Sequence, residues 1–119
     1  MAARLRNIDH EDFADFEALY DYVDLKKMEY FGNTCVYDFA LRYGWNRTHR
    51  VVPRDFVYIH SKPFRSAKRL FELGYIPELG RRLPLSTYTT LLGPGMNAMD
   101  VEHFLCLYHE EIMNLPKRQ

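Results

Sequence analysis

The sequence predicts a mainly α-helical fold: one compact domain over residues 1–119, with four or five modest helices and one or two short β-strands. Three observations predict it. Apolar residues recur at three- and four-residue spacing in four separate stretches, as on the buried face of a helix. Each stretch closes on a glycine or a proline. Only Phe56 to His60 is rich enough in β-branched and aromatic residues to be expected as a strand. The length suits one domain, and 47% hydrophobic with 15% aromatic residues is enough apolar surface to rule out disorder.

Asp9 is the expected N-cap of the first helix, with Glu11 and Asp12 in the first turn where the helix dipole favours acids. Ile8 and Phe13 stand at hydrophobic-staple positions, and Phe13, Phe16, Tyr20 and Val23 follow at helical spacing. Asp24 would cap a short continuation through Met28 to Phe31, stopped by Gly32. Asn33 or Thr34 would cap a second helix, with Val36, Phe39, Ala40 and Tyr43 on its buried face and Gly44 at C′.

Residues 45–54 form an arginine-rich loop, followed by the strand. Ser61 and Pro63 open a helix whose apolar face is Phe64, Ala67, Leu70 and Phe71, closed by Gly74. Pro77, Gly80, Pro84, Gly93, Pro94 and Gly95 break residues 75–96 into turns. Within them, residues 86–92 suit a short helix or a strand. As a strand they would pair with the first; otherwise that strand offers an open edge to a partner chain. Asn97 caps the final helix, with Asp100 in its first turn and a stripe of Val101, Phe104, Leu105, Tyr108 and Ile112; Pro116 ends it.

Charge is unevenly spread along the chain. Residues 42–82 hold ten of sixteen Lys and Arg but three of sixteen acids, a net +7, while residues 1–41 carry −5 and residues 83–119 carry −2. Such a segment either neutralises the chain's own acids or meets an anionic partner. Arg47, Arg50 and Arg54 come from the loop. Arg65, Lys68 and Arg69 are set three and four residues apart on one helix, and Arg81 and Arg82 follow the turn at Gly80. Together these eight are the candidate anion-binding residues, with Tyr43 and Trp45 placed to stack on unpaired bases. The plainer reading is a solvated helix face neutralised by the acidic first helix. No helix-turn-helix, zinc-finger, KH or RRM signature accompanies them.

Other clusters are weaker. His103, Cys106 and His109 recur every three residues, a spacing that brings zinc ligands together, but no second ligand pair such as CxxC exists, and successive three-residue steps drift around a helix. Cys106 is expected as a buried structural thiol between partly exposed histidines. Neither a metal nor a cofactor is expected. Gly93-Pro94-Gly95 lacks the Lys-Ser/Thr of a P-loop and marks a tight connection. His60, at a strand end, suits a turn hydrogen bond better than catalysis.

Met1 to Asp12 lacks the apolar core of a signal peptide, and no apolar run approaches a membrane span. A cytoplasmic location with Cys35 and Cys106 as free thiols is therefore expected. The sequence points first to a non-catalytic binding module presenting a basic surface to nucleic acid or an acidic protein. The alternative is a protein-interaction or homo-oligomeric domain using the acidic N-terminal helix and exposed tyrosines. A small enzyme using His60 or the His103/Cys106/His109 helix is a distant third.

Overall fold

Helix α1 (Phe16–Lys26) starts later than the sequence suggests. Asp15 caps it, its Oδ1 accepting from the Ala18 N–H at 2.9 Å, and the Leu19 N–H reaches the Asp15 carbonyl at 3.3 Å. The computed structural model describes residues 8, 13–26 and 32–116. The expected cap at Asp9 and the continuation through Met28 to Phe31 lie outside them. Phe16, Leu19, Tyr20 and Val23 form the buried side of α1, so the helical spacing from Phe16 on was a true signal, and Phe13, expected inside the helix, precedes it.

Helix α2 (Asn33–Trp45) begins after Gly32, which holds the cap position in extended backbone. Val36, Tyr37 and Ala40 are its buried residues, and α1 packs against it. Phe16 meets Tyr37 edge-on at 5.9 Å, and Phe39 and Tyr43 stack along α2 at 6.1 Å. Gly44 is not the C′ residue. It lies inside the last turn, and Asn46 follows the helix.

The chain divides into two compact units, residues 1–53 and residues 54–119. The second is built around a two-stranded antiparallel sheet. Strand β1 (Phe56–Tyr58) pairs with β2 (Arg82–Pro84), placing Phe56 opposite Pro84, Val57 opposite Leu83 and Tyr58 opposite Arg82. The Ile59 N–H extends the pairing to the Arg81 carbonyl at 2.9 Å. Residues 86–92 are thus not the strand partner. They form helix α4 (Ser86–Leu92), whose one fully buried side chain is Tyr88.

Helix α3 (Ser61–Glu72) buries Pro63, Ser66, Ala67 and Leu70. Phe71, expected on that face, is 41% exposed. A complete Schellman motif ends the helix: the Gly74 N–H bonds the Phe71 carbonyl at 3.0 Å and the Tyr75 N–H bonds the Leu70 carbonyl at 2.8 Å. Gly74 supplies the left-handed residue at φ 86°.

Helix α5 (Ala98–Leu107) opens with a capping box: the Asn97 side chain accepts from the Asp100 N–H, and the Asp100 carboxylate accepts from the Asn97 N–H. The expected single final helix breaks at Tyr108, and α6 (His109–Met113) follows. Tyr108 is exposed, not part of the apolar stripe. At the break the Ser66 hydroxyl donates to the Leu105 carbonyl at 2.6 Å. Its single proton goes to that carbonyl, so His109 donates from Nδ1 to the Ser66 oxygen at 2.8 Å. Helices α5 and α6 pack on α3, and Val57, Leu70, Tyr88, Val101, Leu105 and Ile112 share one core.

Candidate functional site

The eight basic residues fall in both units: Arg47 and Arg50 in the first, and Arg54, Arg65, Lys68, Arg69, Arg81 and Arg82 in the second.

In the first unit the loop after α2 folds back on the helix. The Val51 N–H bonds the Gly44 carbonyl at 3.0 Å, and a β-carbon on Gly44 would overlap the Val51 carbonyl oxygen. This close approach, not a left-handed turn, is what requires a glycine there. The Asn46 amide holds the loop's start on the Arg42 carbonyl at 2.8 Å. Arg47 then lies against two rings, its guanidinium carbon 5.6 Å from the centre of Phe13 and 5.5 Å from that of Tyr43. Its Nη1 donates to the Tyr43 hydroxyl at 3.1 Å. Arg50 covers the exposed Trp45 ring at 4.2 Å. A cleft of about 400 Å³ opens beside this loop, lined by Phe13, Tyr43, Asn46, Arg47, Thr48, His49 and Val51. The cleft and the part of Phe13 in it were invisible in the sequence, because Phe13 and Arg47 are far apart along the chain.

In the second unit α3 carries three of the bases, which differ in exposure. Arg65 and Lys68 are exposed, with Glu72 four residues beyond Lys68. Arg69 is half-buried, and its Nη2 donates to the Leu115 carbonyl at 3.1 Å. Successive helical residues turn by about 100°, so Lys68 and Arg69 fall on opposite flanks of Arg65. Arg69 acts as a tether for the C-terminal segment.

The Arg81 guanidinium lies 4.2 Å over the Phe64 ring. Lys68 follows Phe64 by one turn along the same line of α3. The exposed Phe71 continues that line one turn further. Arg82 covers its cross-strand partner Tyr58 at 5.0 Å, a contact that follows from the sheet register. Arg54 is exposed ahead of β1.

The remaining candidates do not converge. His103 is exposed, and so is Cys106, contrary to the buried thiol expected. The buried side of α5 is Ala98, Val101 and Leu105, and Cys106 lies about 100° round from Leu105. His109 turns instead to Ser66. Among the described residues, no three His, Cys, Asp or Glu side chains gather to hold a metal ion. His60 is buried at the cap position of α3. Of the tyrosines offered as an interface, Tyr20, Tyr37, Tyr58 and Tyr88 are buried, and Tyr108 alone is exposed among the described residues. No described helix is long and apolar enough to cross a membrane.

No protein-family model matches the chain, and no curated protein or solved structure is significantly similar to it.

Proposed function

We propose that this protein is a non-catalytic binding module that takes single-stranded nucleic acid on its basic surfaces. One observation carries the proposal: guanidinium groups are repeatedly held over aromatic rings, Arg50 on Trp45, Arg81 on Phe64 and Arg82 on Tyr58. An arginine already held in place loses less freedom when it meets a phosphate. The guanidinium planes and the partly exposed rings of Trp45 and Phe71 suit the flat faces of unpaired bases. An acidic protein would use the charge but not the flat faces of Trp45 and Phe71.

The test is fluorescence anisotropy of a labelled single-stranded oligonucleotide with the protein and with Arg65→Gln/Lys68→Gln/Arg81→Gln. All three positions lie outside the core, so the triple variant keeps its fold by circular dichroism. Its affinity falls roughly tenfold or more. Unchanged affinity contradicts the proposal. So does polyglutamate competing as well as the oligonucleotide, a result that would assign the surface to an acidic protein.

A further inference from the structure

We infer that the second unit carries a self-association surface: the acidic, apolar side of α5 and α6 in one copy receives the basic side of α3, with Phe71, in another. The inference does not rest on nucleic-acid binding. Both readings use Arg65 and Lys68, so a strand and a second copy compete for α3.

Charge and apolar exposure occur together on each side of this contact. Between Leu83 and Pro116 the chain has four acids, Asp100, Glu102, Glu110 and Glu111, and no Lys or Arg. Asp100, Glu110 and Glu111 are exposed. Among them stand large apolar side chains that the core leaves outside: Leu107 is 61% exposed, and Tyr108 and Met113 are exposed as well. Leu107 lies about 200° round α5 from the buried Leu105, on the side away from the core. Its neighbour one turn back, Phe104, meets the Tyr108 ring at 4.9 Å. On α3 the exposed residues include Lys62, Arg65, Lys68, Phe71 and Glu72, three bases against one acid. Lys68 stands three residues from both Arg65 and Phe71, so bases and exposed ring are neighbours. None of Arg65, Lys68, Glu110 and Glu111 is held in an ion pair among the described residues. Helix α3 packs on α5 and α6 by its buried side, so one copy presents both patches. Apolar centres with charged rims of opposite sign are what a specific contact needs. Two acidic patches facing each other would set Glu110 and Glu111 against like charges, and a nucleic acid or an anionic lipid surface would meet the same repulsion.

Sedimentation velocity of the full chain, from micromolar to millimolar protein, reads the association. At low salt the mass rises with concentration, and added salt reverses it. Arg65→Glu/Lys68→Glu makes both patches acidic, and Glu110→Lys/Glu111→Lys makes both basic. All four positions are exposed, so each variant keeps the parent's circular dichroism. Each alone associates roughly tenfold or more weakly than the parent. An equimolar mixture of the two regains association, because each supplies the charge that the other lacks. Leu107→Ser weakens the parent's association by a similar factor without a change of charge. A parent that stays monomeric overturns the inference and leaves the α5 and α6 patch to a basic partner of another sequence. Variants that associate as the parent does, a mixture that stays monomeric, or association unmoved by Leu107→Ser overturn it too. Association in a protein with no affinity for strands would sink the proposed function alone, and strand binding by a monomeric parent would sink this inference alone.

Discussion

Tyr88 has no exposed surface, and its hydroxyl has no hydrogen-bond partner among the described residues. Burial pushes its pKa up to about 12 from an ordinary 10. Between those values the unfolded chain loses the phenolic proton and the folded chain keeps it, so folding is progressively penalised as pH rises from 10 to 12, by about 2–3 kcal/mol at full extent. Tyr88→Phe removes both the stranded hydroxyl and this penalty. Its urea-unfolding stability at pH 7 equals or exceeds that of the parent by up to about 1 kcal/mol, and the gap widens above pH 10. A loss of more than that at pH 7 would mean the hydroxyl has a partner. Gly44 poses the opposite problem. Helix propensity alone predicts that Gly44→Ala stabilises by up to about 1 kcal/mol, but the new methyl group overlaps the Val51 carbonyl oxygen. Overpacking against backbone costs about 1–3 kcal/mol and wins, so chemical denaturation shows a less stable variant. The glycine was visible in the sequence, but its reason was not. A chain terminator and a site of close approach look alike until the loop that closes on it is known.

At the scale of elements, local signals were legible and distant ones were not. Gly74 at the end of α3 and the Asn97 cap of α5 were both expected, because each acts on backbone within a few residues of itself. Asn97→Ala therefore costs about 1 kcal/mol, read as a lowered urea midpoint with an unchanged slope. A change within error would show that the capping box contributes nothing. Strand β2 and helix α4 were harder. Thr and Tyr in residues 86–92 favour a strand by propensity, yet burying Tyr88 in the core of the second unit selects a helix there. The short Arg82–Pro84 segment becomes the partner of β1 instead. The break at Tyr108 lies between Leu105 and His109, which Ser66 bonds from some forty residues earlier, and no periodicity in the final helix could reveal those contacts. The candidate site follows the same division. Arg65 and Lys68 were legible as an exposed helical pair, whereas the bond of the half-buried Arg69 to Leu115 and the seating of Arg81 on Phe64 needed the fold.

Across the whole molecule, a chain of zero net charge concentrates +7 in residues 42–82. Arg65, Lys68 and Arg81 belong to the second unit, and Arg47 and Arg50 to the first. A surface that meets phosphates by displacing counterions has a definite salt signature, with log affinity falling by about 0.7 per log salt for each single-strand phosphate contacted. The most direct measurement is therefore the slope of log affinity against log salt for a single-stranded oligonucleotide, taken for the parent and for Arg65→Gln/Lys68→Gln/Arg81→Gln. The slope of the parent is steep, and that of the variant is shallower by about 2. A parent slope near zero, or one that the three substitutions leave unchanged, would contradict the account.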